Sequence, residues 1–157
     1  MTPSILQDAL VADLKEQLKE FRLKNSKNES GKLNMYSQNL PSIQGQKDSE
    51  YFPYLVIRVM DGENKNDEGE EKDSCKLYFI IGIYDDSDDN QGYKDLMNII
   101  EKIKYRLKTK KYFNNNQFEL ELPLKWAIHE EDTFPHYFGG IETNWNIPNI
   151  QFDDSLI

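Results

Sequence analysis

Residues 74–84 read SCKLYFIIGIY, an apolar run with large side chains at both its odd and its even positions. A β-strand directs alternate side chains to opposite faces of its sheet. The two sets here are Leu77, Phe79, Ile81 and Ile83, and Tyr78, Ile80 and Tyr84. One set can meet helices, and the other needs cover because burying a side chain such as Ile80 is worth about 1.5–3 kcal/mol. We expect that cover to be either another subunit or the curl of the sheet.

A second strand precedes this run. Tyr54–Met60 is rich in Val and Ile, which favour strands. Residues 61–73 join the two strands and hold seven carboxylates against Lys65 and Lys72. The pattern predicts a hairpin with a long acidic tip, residues 61–73, that is too polar to pack by itself.

Two helices are predicted from apolar residues at helical spacing. The first runs from Ser4 to Leu23 and carries the stripe Leu6, Leu10, Leu14, Leu18 and Phe21. The second begins at Gln91 and carries the stripe Leu96, Ile100, Ile103 and Leu107. Acidic residues before the second helix and lysines at its far end both complement the helix dipole.

Three further stretches lack helical spacing. Leu33–Ser37 is predicted as a short strand, whereas residues 39–50 contain Pro41 and Gly45 and are predicted as a flexible loop. Residues 151–157 are predicted as a tail that frays or docks on a partner.

Clean alternation of apolar and polar residues predicts the last strands. Phe118–Leu122 and Ile141–Ile147 each have one apolar face, and Leu124–Ile128 continues the alternation beyond Pro123. Pro123 is therefore predicted at an edge position or a bulge of a bent strand. The order of elements predicts one α+β domain over residues 1–157, with two helices packed on one face of a mostly antiparallel sheet.

The composition limits the kinds of partner that the protein can bind. The 157 residues carry a formal net charge of -9 and have a sequence pI of about 4.7. Such a molecule repels phosphate backbones, so direct DNA binding is not expected. No export signal and no membrane span are predicted. The single Cys75 lies in a strand pattern, which suits a buried thiol in a reducing cytoplasm.

The histidines and acidic residues do not form a recognisable metal-binding motif. A zinc-protease motif beginning at His129 requires a second His where Thr133 stands. Asp86, Asp88 and Asn90 have the alternating spacing of a calcium loop, but its Gly comes one position late and its closing Glu is replaced by Met.

Catalytic motifs are missing as well. Gly139-Gly140 stands alone before a strand, where a turn or bulge explains it without a phosphate loop. Neither His129 nor His136 belongs to a recognisable arrangement of Ser, His and Asp. We expect a protein that is not an enzyme and uses no cofactor.

A charge pattern remains after these exclusions. The acidic tip includes Asp67, Glu68, Glu70 and Glu71, and the second helix includes Lys94, Lys102, Lys104, Arg106 and Lys108. The two segments are either separate solvated faces, since single surface pairs contribute little, or complementary contacts between copies in a ring. Together with Tyr78, Ile80 and Tyr84, these residues are the candidate contacts with another subunit or a further partner protein.

The chain resembles the tail terminator proteins of long-tailed phages and prophages of Gram-positive bacteria. The resemblance rests on aromatic, Pro and Gly positions and covers most of the chain. The matching motifs are Phe52-Pro53-Tyr54 leading to Asp61-Gly62, Ile81-Gly82-Ile83-Tyr84, Gly92-Tyr93-Lys94-Asp95 and Trp145-Asn146-Ile147-Pro148. The length and charge of the hairpin tip vary in such proteins.

The resemblance implies a structural virion protein with the small α+β sandwich of that family. Tail terminators form rings, generally hexameric, that cap the finished tail tube and offer a surface for the head. The implied partners are further copies of the chain, the tail tube protein and a head completion or connector protein, with DNA only as passing cargo. The implied location is the head-proximal end of the tail, after assembly in the cytoplasm of the bacterial host.

Two other functions stay open at this point. One is a different morphogenesis protein, such as a head completion, connector or minor capsid protein. The other is an acidic DNA mimic that inhibits a host enzyme, which the negative charge would suit.

Overall fold

Two α-helices and eight strands form the part of the chain that the computed structural model describes, which comprises residues 2–24, 27, 29–42 and 48–147. The helices are α1 (Pro3–Gln17) and α2 (Gln91–Lys110). The strands are β1 (Arg22–Lys24), β2 (Ser30–Lys32), β3 (Asn34–Ser37), β4 (Tyr54–Asp67), β5 (Glu70–Tyr84), β6 (Tyr112–Phe113), β7 (Phe118–Ile128) and β8 (His136–Ile147). A 3-10 helix at Asp48–Tyr51 precedes β4. No helix in these residues is long and apolar enough to cross a membrane.

Six of the strands form one sheet in the order β3-β4-β5-β8-β7-β6. The β3–β4 pair is parallel, and every other neighbouring pair is antiparallel. Strands β1 and β2 pair separately as a small antiparallel hairpin. The predicted α+β class with a mostly antiparallel sheet is therefore confirmed.

Both helices bury their apolar stripes in one core on one face of the sheet. Leu96, Ile100, Ile103 and Leu107 of α2 are fully buried, as their spacing predicts. They share this core with α1 and with the odd-numbered set of β5, Leu77, Phe79, Ile81 and Ile83. The sequence pattern thus identified the inner face of the central strand.

The first helix is shorter than predicted. It ends at Gln17, and Leu18 forms its C-cap with a backbone N–H that donates to Leu14 O at 2.8 Å. Leu18 and Leu23 are still buried, but Leu23 reaches the core from β1, where it lies opposite Gly31. The leucine spacing correctly predicts which residues are buried. It does not locate the end of the helix, because Leu18 and Leu23 are buried although they lie beyond Gln17.

Residues 61–73, predicted as a hairpin tip, form regular paired strands. The strands β4 and β5 continue through them as a two-stranded ribbon, from Asp61 paired with Lys76 to Asp67 paired with Glu70. A two-residue turn at Glu68 and Gly69 closes it, with φ of 53° and 85°. Backbone pairing needs no apolar side chains, and two residues at positive φ form the turn that suits the twist of a hairpin. We call Asp61–Asp73 the acidic ribbon.

Strand β7 bends where Pro123 was predicted at an edge or bulge. Its register against β8 shifts between Glu121 and Lys125. On the side of β7 away from β8, β6 pairs only with Phe118 and Glu119. Pro123 therefore lies where β7 is an edge strand, as predicted.

The outer face of the sheet is covered at one end by the chain itself. Tyr51 and Phe52 pack with Tyr54 and Val56 in a second apolar cluster. The Tyr54 ring lies so close to Gly82 that a side-chain carbon there would approach it to 2.5 Å. Tyr51 and Phe52, from the segment before β4, contribute to this cover, which the strand pattern did not predict. The predicted flexible loop lies in part outside the described residues, at 43–47, and the predicted tail 151–157 lies wholly outside them.

Candidate interaction surfaces

The rest of the outer face is an open groove of about 410 Å³. Its lining is mostly apolar and comes from β5, β7 and β8, with Tyr78, Ile80, Ala127 and Gly140 among its members. Gly140 contributes no side chain, which leaves room above the sheet. Ala127 lies opposite Gly140 and is exposed. We call this the outer-face groove.

Charged groups form the rim of the outer-face groove. The Tyr78 hydroxyl donates to Glu142 Oε1 at 2.8 Å, and Lys76 Nζ lies 3.4 Å from the same oxygen. The hydrogen bond from Tyr78 and the Lys76 ammonium hold the pKa of Glu142 below its usual value. Lys125 lies opposite Glu142 in the sheet. The rim is therefore organised within the chain, and the apolar floor is the part left without cover.

The three outer residues of β5 have different surroundings. The Tyr84 ring contacts His136 at a centroid distance of 5.6 Å, and the His136 ring lies tilted against Phe52 at 4.6 Å. Tyr78 lines the outer-face groove, Tyr84 packs against the second apolar cluster, and Ile80 does both. Ile80 therefore joins the groove to the cluster.

The acidic ribbon places its candidate residues at the end of the sheet. Asp67, Glu68, Glu70 and Glu71 line a shallow cavity of about 550 Å³ together with Glu121 and Ile147. Lys72 Nζ lies 3.1 Å from a Glu121 carboxylate oxygen and ties the ribbon to β7. The side chains of residues 61–71 are all exposed. The ribbon thus extends acidic groups away from the core.

The basic residues of α2 have different environments. Arg106 donates two hydrogen bonds to the carboxylate of Asp13 in α1, at 3.0 and 2.7 Å, and Lys110 lies 3.2 Å from the same group. Burial by itself raises the pKa of Asp13, but the hydrogen bonds from Arg106 and Lys110 outweigh it and hold that pKa below its usual value. Arg106 therefore fastens the two helices together.

The other lysines of α2 face solvent to a larger extent. Lys94, Lys102 and Lys108 are exposed, and Lys104 is half-buried with its ammonium 3.3 Å from Glu101. Lys102 also lies over the Phe21 ring, 5.7 Å from its centroid. These lysines are available to an acidic partner in a way that Arg106 is not.

Two aromatic residues were missed by the sequence reasoning. Tyr105 is 73% exposed on α2, and Trp126 is 45% exposed on β7, where it lies opposite Ile141. The exposure of Tyr105 could have been predicted, because the sequence places it outside the apolar stripe of its helix and next to lysines. Trp126 carried no comparable signal, because its exposure depends on where β7 bends.

The described residues contain no group of three or more His, Cys, Asp or Glu side chains that could hold a metal ion. The loop before α2 uses its carboxylates locally, since Asp85 Oδ1 accepts hydrogen bonds from the backbone N–H and the hydroxyl of Ser87 at 2.9 and 2.5 Å. Cys75 is buried, and burial together with Asp73 and Asp61 raises its pKa to about 12.

No protein-family model matches the chain, and no curated protein matches it significantly. One solved chain aligns over 97% of this chain and 99% of its own length with 10% identity and a TM-score of 0.49. A chain from the virion of a native gene transfer agent particle aligns over 92% of this chain and 95% of its own, with 6% identity and a TM-score of 0.41. The latter is a distant structural neighbour, and we build no functional argument on similarity at this level.

Proposed function

We propose that this protein is a non-enzymatic tail terminator. In this proposal, copies form a ring, hexameric as the resemblance implies, that caps the tail tube, ends its polymerisation and presents a surface to the head completion or connector protein. The observation that carries the proposal is the outer-face groove, an apolar surface without cover in the single chain. The sequence resemblance supplies the kind of assembly.

The outer-face groove fits a contact that forms on assembly. Ile80 is half-buried and Ala127 is exposed, so both have apolar area left to bury. Burial of apolar surface contributes about 25 cal/mol for each Å², and an apolar floor with a polar rim is the usual anatomy of a protein interface. We propose that the groove is covered by a neighbouring copy in the ring.

The charge of the molecule suits a ring through which DNA passes. Each copy carries a formal charge of -9, so several copies around a channel would repel phosphate groups. DNA would then be cargo that moves through the ring and does not bind to it.

The test is deletion of the gene followed by electron microscopy of the tails. We expect overlong tail tubes without heads, and tails of normal length once the wild-type gene is restored. The variant Ile80→Lys should fail to restore them, because it places a charge in the outer-face groove. The control Ile5→Lys changes an exposed isoleucine on α1 and should restore them.

Two results would overturn the proposal. Tails of normal length joined to heads in the deletion strain would remove any role in capping. Tails of normal length that stay unattached would instead assign the protein to head completion. Circular dichroism of purified Ile80→Lys separates a lost contact from a lost fold.

A further inference from the structure

Tyr105 is the most exposed of the large hydrophobic side chains in the described residues, at 73%. It stands on the outer side of α2, with a groove on each side. One groove, of about 410 Å³, is lined by Glu101, Lys104, Tyr105, Lys108 and Thr109. The other, of about 210 Å³, lies between the helices and is lined by Leu14, Gln17, Leu18, Lys102, Tyr105, Arg106 and Thr109. We call Lys102, Lys104, Tyr105 and Lys108 the Tyr105 surface.

The Tyr105 surface is positively charged on a negatively charged protein. Its three lysines surround one aromatic ring, and Glu101 offsets the charge of Lys104 at 3.3 Å. Amphipathic aromatic rings with basic neighbours are favoured at protein interfaces. The surface therefore fits an anionic partner that also offers an area against which the Tyr105 side chain can pack.

The acidic ribbon has the matching chemistry. Its turn presents Asp67, Glu68 and Glu70, which are all exposed, around Gly69. A glycine without a side chain at the end of a two-residue turn leaves backbone on which an aromatic ring can lie. Carboxylates on both sides of that backbone would face the lysines on both sides of Tyr105.

The contact does not form within one chain. The ion pairs recorded for α2 join Arg106 and Lys110 to Asp13, Lys104 to Glu101, and Lys111 to Glu119, and none of these carboxylates lies in the ribbon. The ribbon itself is tied to the body through Lys72 and Glu121. A ribbon from a second copy is therefore the occupant that the charges of this chain fit.

We propose that the Tyr105 surface receives the turn of the acidic ribbon, Asp67–Glu70, from a neighbouring copy. This inference rests on the ring proposed above and names one of its contacts. The contact is heterologous, since the ribbon of one copy meets the helix of the next, and heterologous contacts close into rings when the rotation allows it. Nucleic acid is the competing anion, but the net charge of -9 opposes its approach.

The test is a charge swap on the full chain. One variant carries Lys104→Glu and Lys108→Glu, and the other carries Glu68→Lys and Glu70→Lys. Each by itself should lose self-association at least tenfold, measured by light scattering over a concentration series, because like charges then face each other. Mixed in equal amounts, the two should assemble again, since every contact in an alternating ring joins opposite charges.

A matched control carries Lys15→Glu and Lys32→Glu, which reverse two exposed lysines outside the Tyr105 surface. It should assemble like the wild type. Three results would each overturn the inference. Either swap variant by itself associates as tightly as the wild type, the mixture of the two fails to assemble, or the wild type is monomeric at every concentration. Loss of duplex DNA binding by the Lys104 and Lys108 variant, with assembly unchanged, would identify nucleic acid as the partner instead. If tails are capped while the swap fails, the inference falls and the proposed function stands.

Discussion

At the residue scale, Asp13 shows how one carboxylate holds two elements. It is one-tenth exposed and accepts hydrogen bonds from Arg106 and Lys110, so it fastens α1 to α2 over the apolar core. A paired acid of this kind stabilises the fold above its unfolded pKa, and the stabilisation is lost as the pH falls through the folded pKa.

We expect Asp13→Asn to lower the free energy of unfolding at neutral pH, because it removes the negative charge that pairs with Arg106 and Lys110. The loss should be only about 1 kcal/mol, because both basic partners are partly exposed and screened by solvent. The pKa of Asp13 lies below its ordinary value of 3.8 in the fold. The difference from the wild type should therefore be constant above about pH 5 and should shrink as the pH falls below the ordinary value. Urea unfolding at several pH values measures it. The control Glu16→Gln removes an exposed pair with Lys19 and should change little; a gap that widens in acid would contradict the assignment.

At the element scale, the acidic ribbon is a strand pair without a core. Its side chains are exposed, and its order depends on backbone hydrogen bonds and on the turn at Glu68 and Gly69. An isolated two-stranded ribbon is marginally stable in water. Small changes in the turn should therefore open the ribbon without unfolding the body.

We expect Gly69→Ala to destabilise the ribbon by about 1 kcal/mol, because φ of 85° is strained for a residue with a side chain. Amide exchange should speed up between Asp61 and Asp73 while exchange in the core strands and the melting temperature stay close to wild type. The opposite change is Glu68→Asn, since Asn accepts positive φ and favours this turn; it should slow exchange in the ribbon. Equal exchange in all three proteins would show that the turn does not control the ribbon.

At the scale of the whole molecule, charge acts over two distances. Copies with a net charge of -9 repel one another over long range, whereas the ribbon and the Tyr105 surface attract at contact. Salt screens the long-range term first, because the Debye length is about 30 Å at 0.01 M and about 3 Å at 1 M.

Self-association should therefore be tightest near physiological salt and weaker on both sides of it. At low salt the repulsion between whole copies dominates, and at about 1 M the contact pairs are screened. Sedimentation velocity at a series of salt concentrations measures this. Association that strengthens steadily up to high salt would instead place the binding energy in the outer-face groove alone, as expected for apolar contacts.

Much of this molecule was readable from its pattern of residues. The spacing of Leu96, Ile100, Ile103 and Leu107 predicted the buried face of α2, and alternation predicted β7 and β8. Both rest on local periodicity, which follows from the geometry of one helix or one strand. The hairpin with its acidic tip was predicted, but the strands were ended at Met60 and Ser74 because the polar residues between them have no strand pattern. Backbone pairing between β4 and β5 does not depend on side-chain polarity.

The sequence by itself determined the α+β class and the inner face of the sheet, since both follow from periods that each element carries along its own chain. The tertiary structure alone decided which outer residues stay open. It packed Tyr84 and Ile80 against the second apolar cluster, left Tyr78 and the open side of Ile80 at the outer-face groove, and bound Arg106 to Asp13. These outcomes depend on contacts between residues far apart in the chain, and no local period encodes which distant surface a side chain will meet.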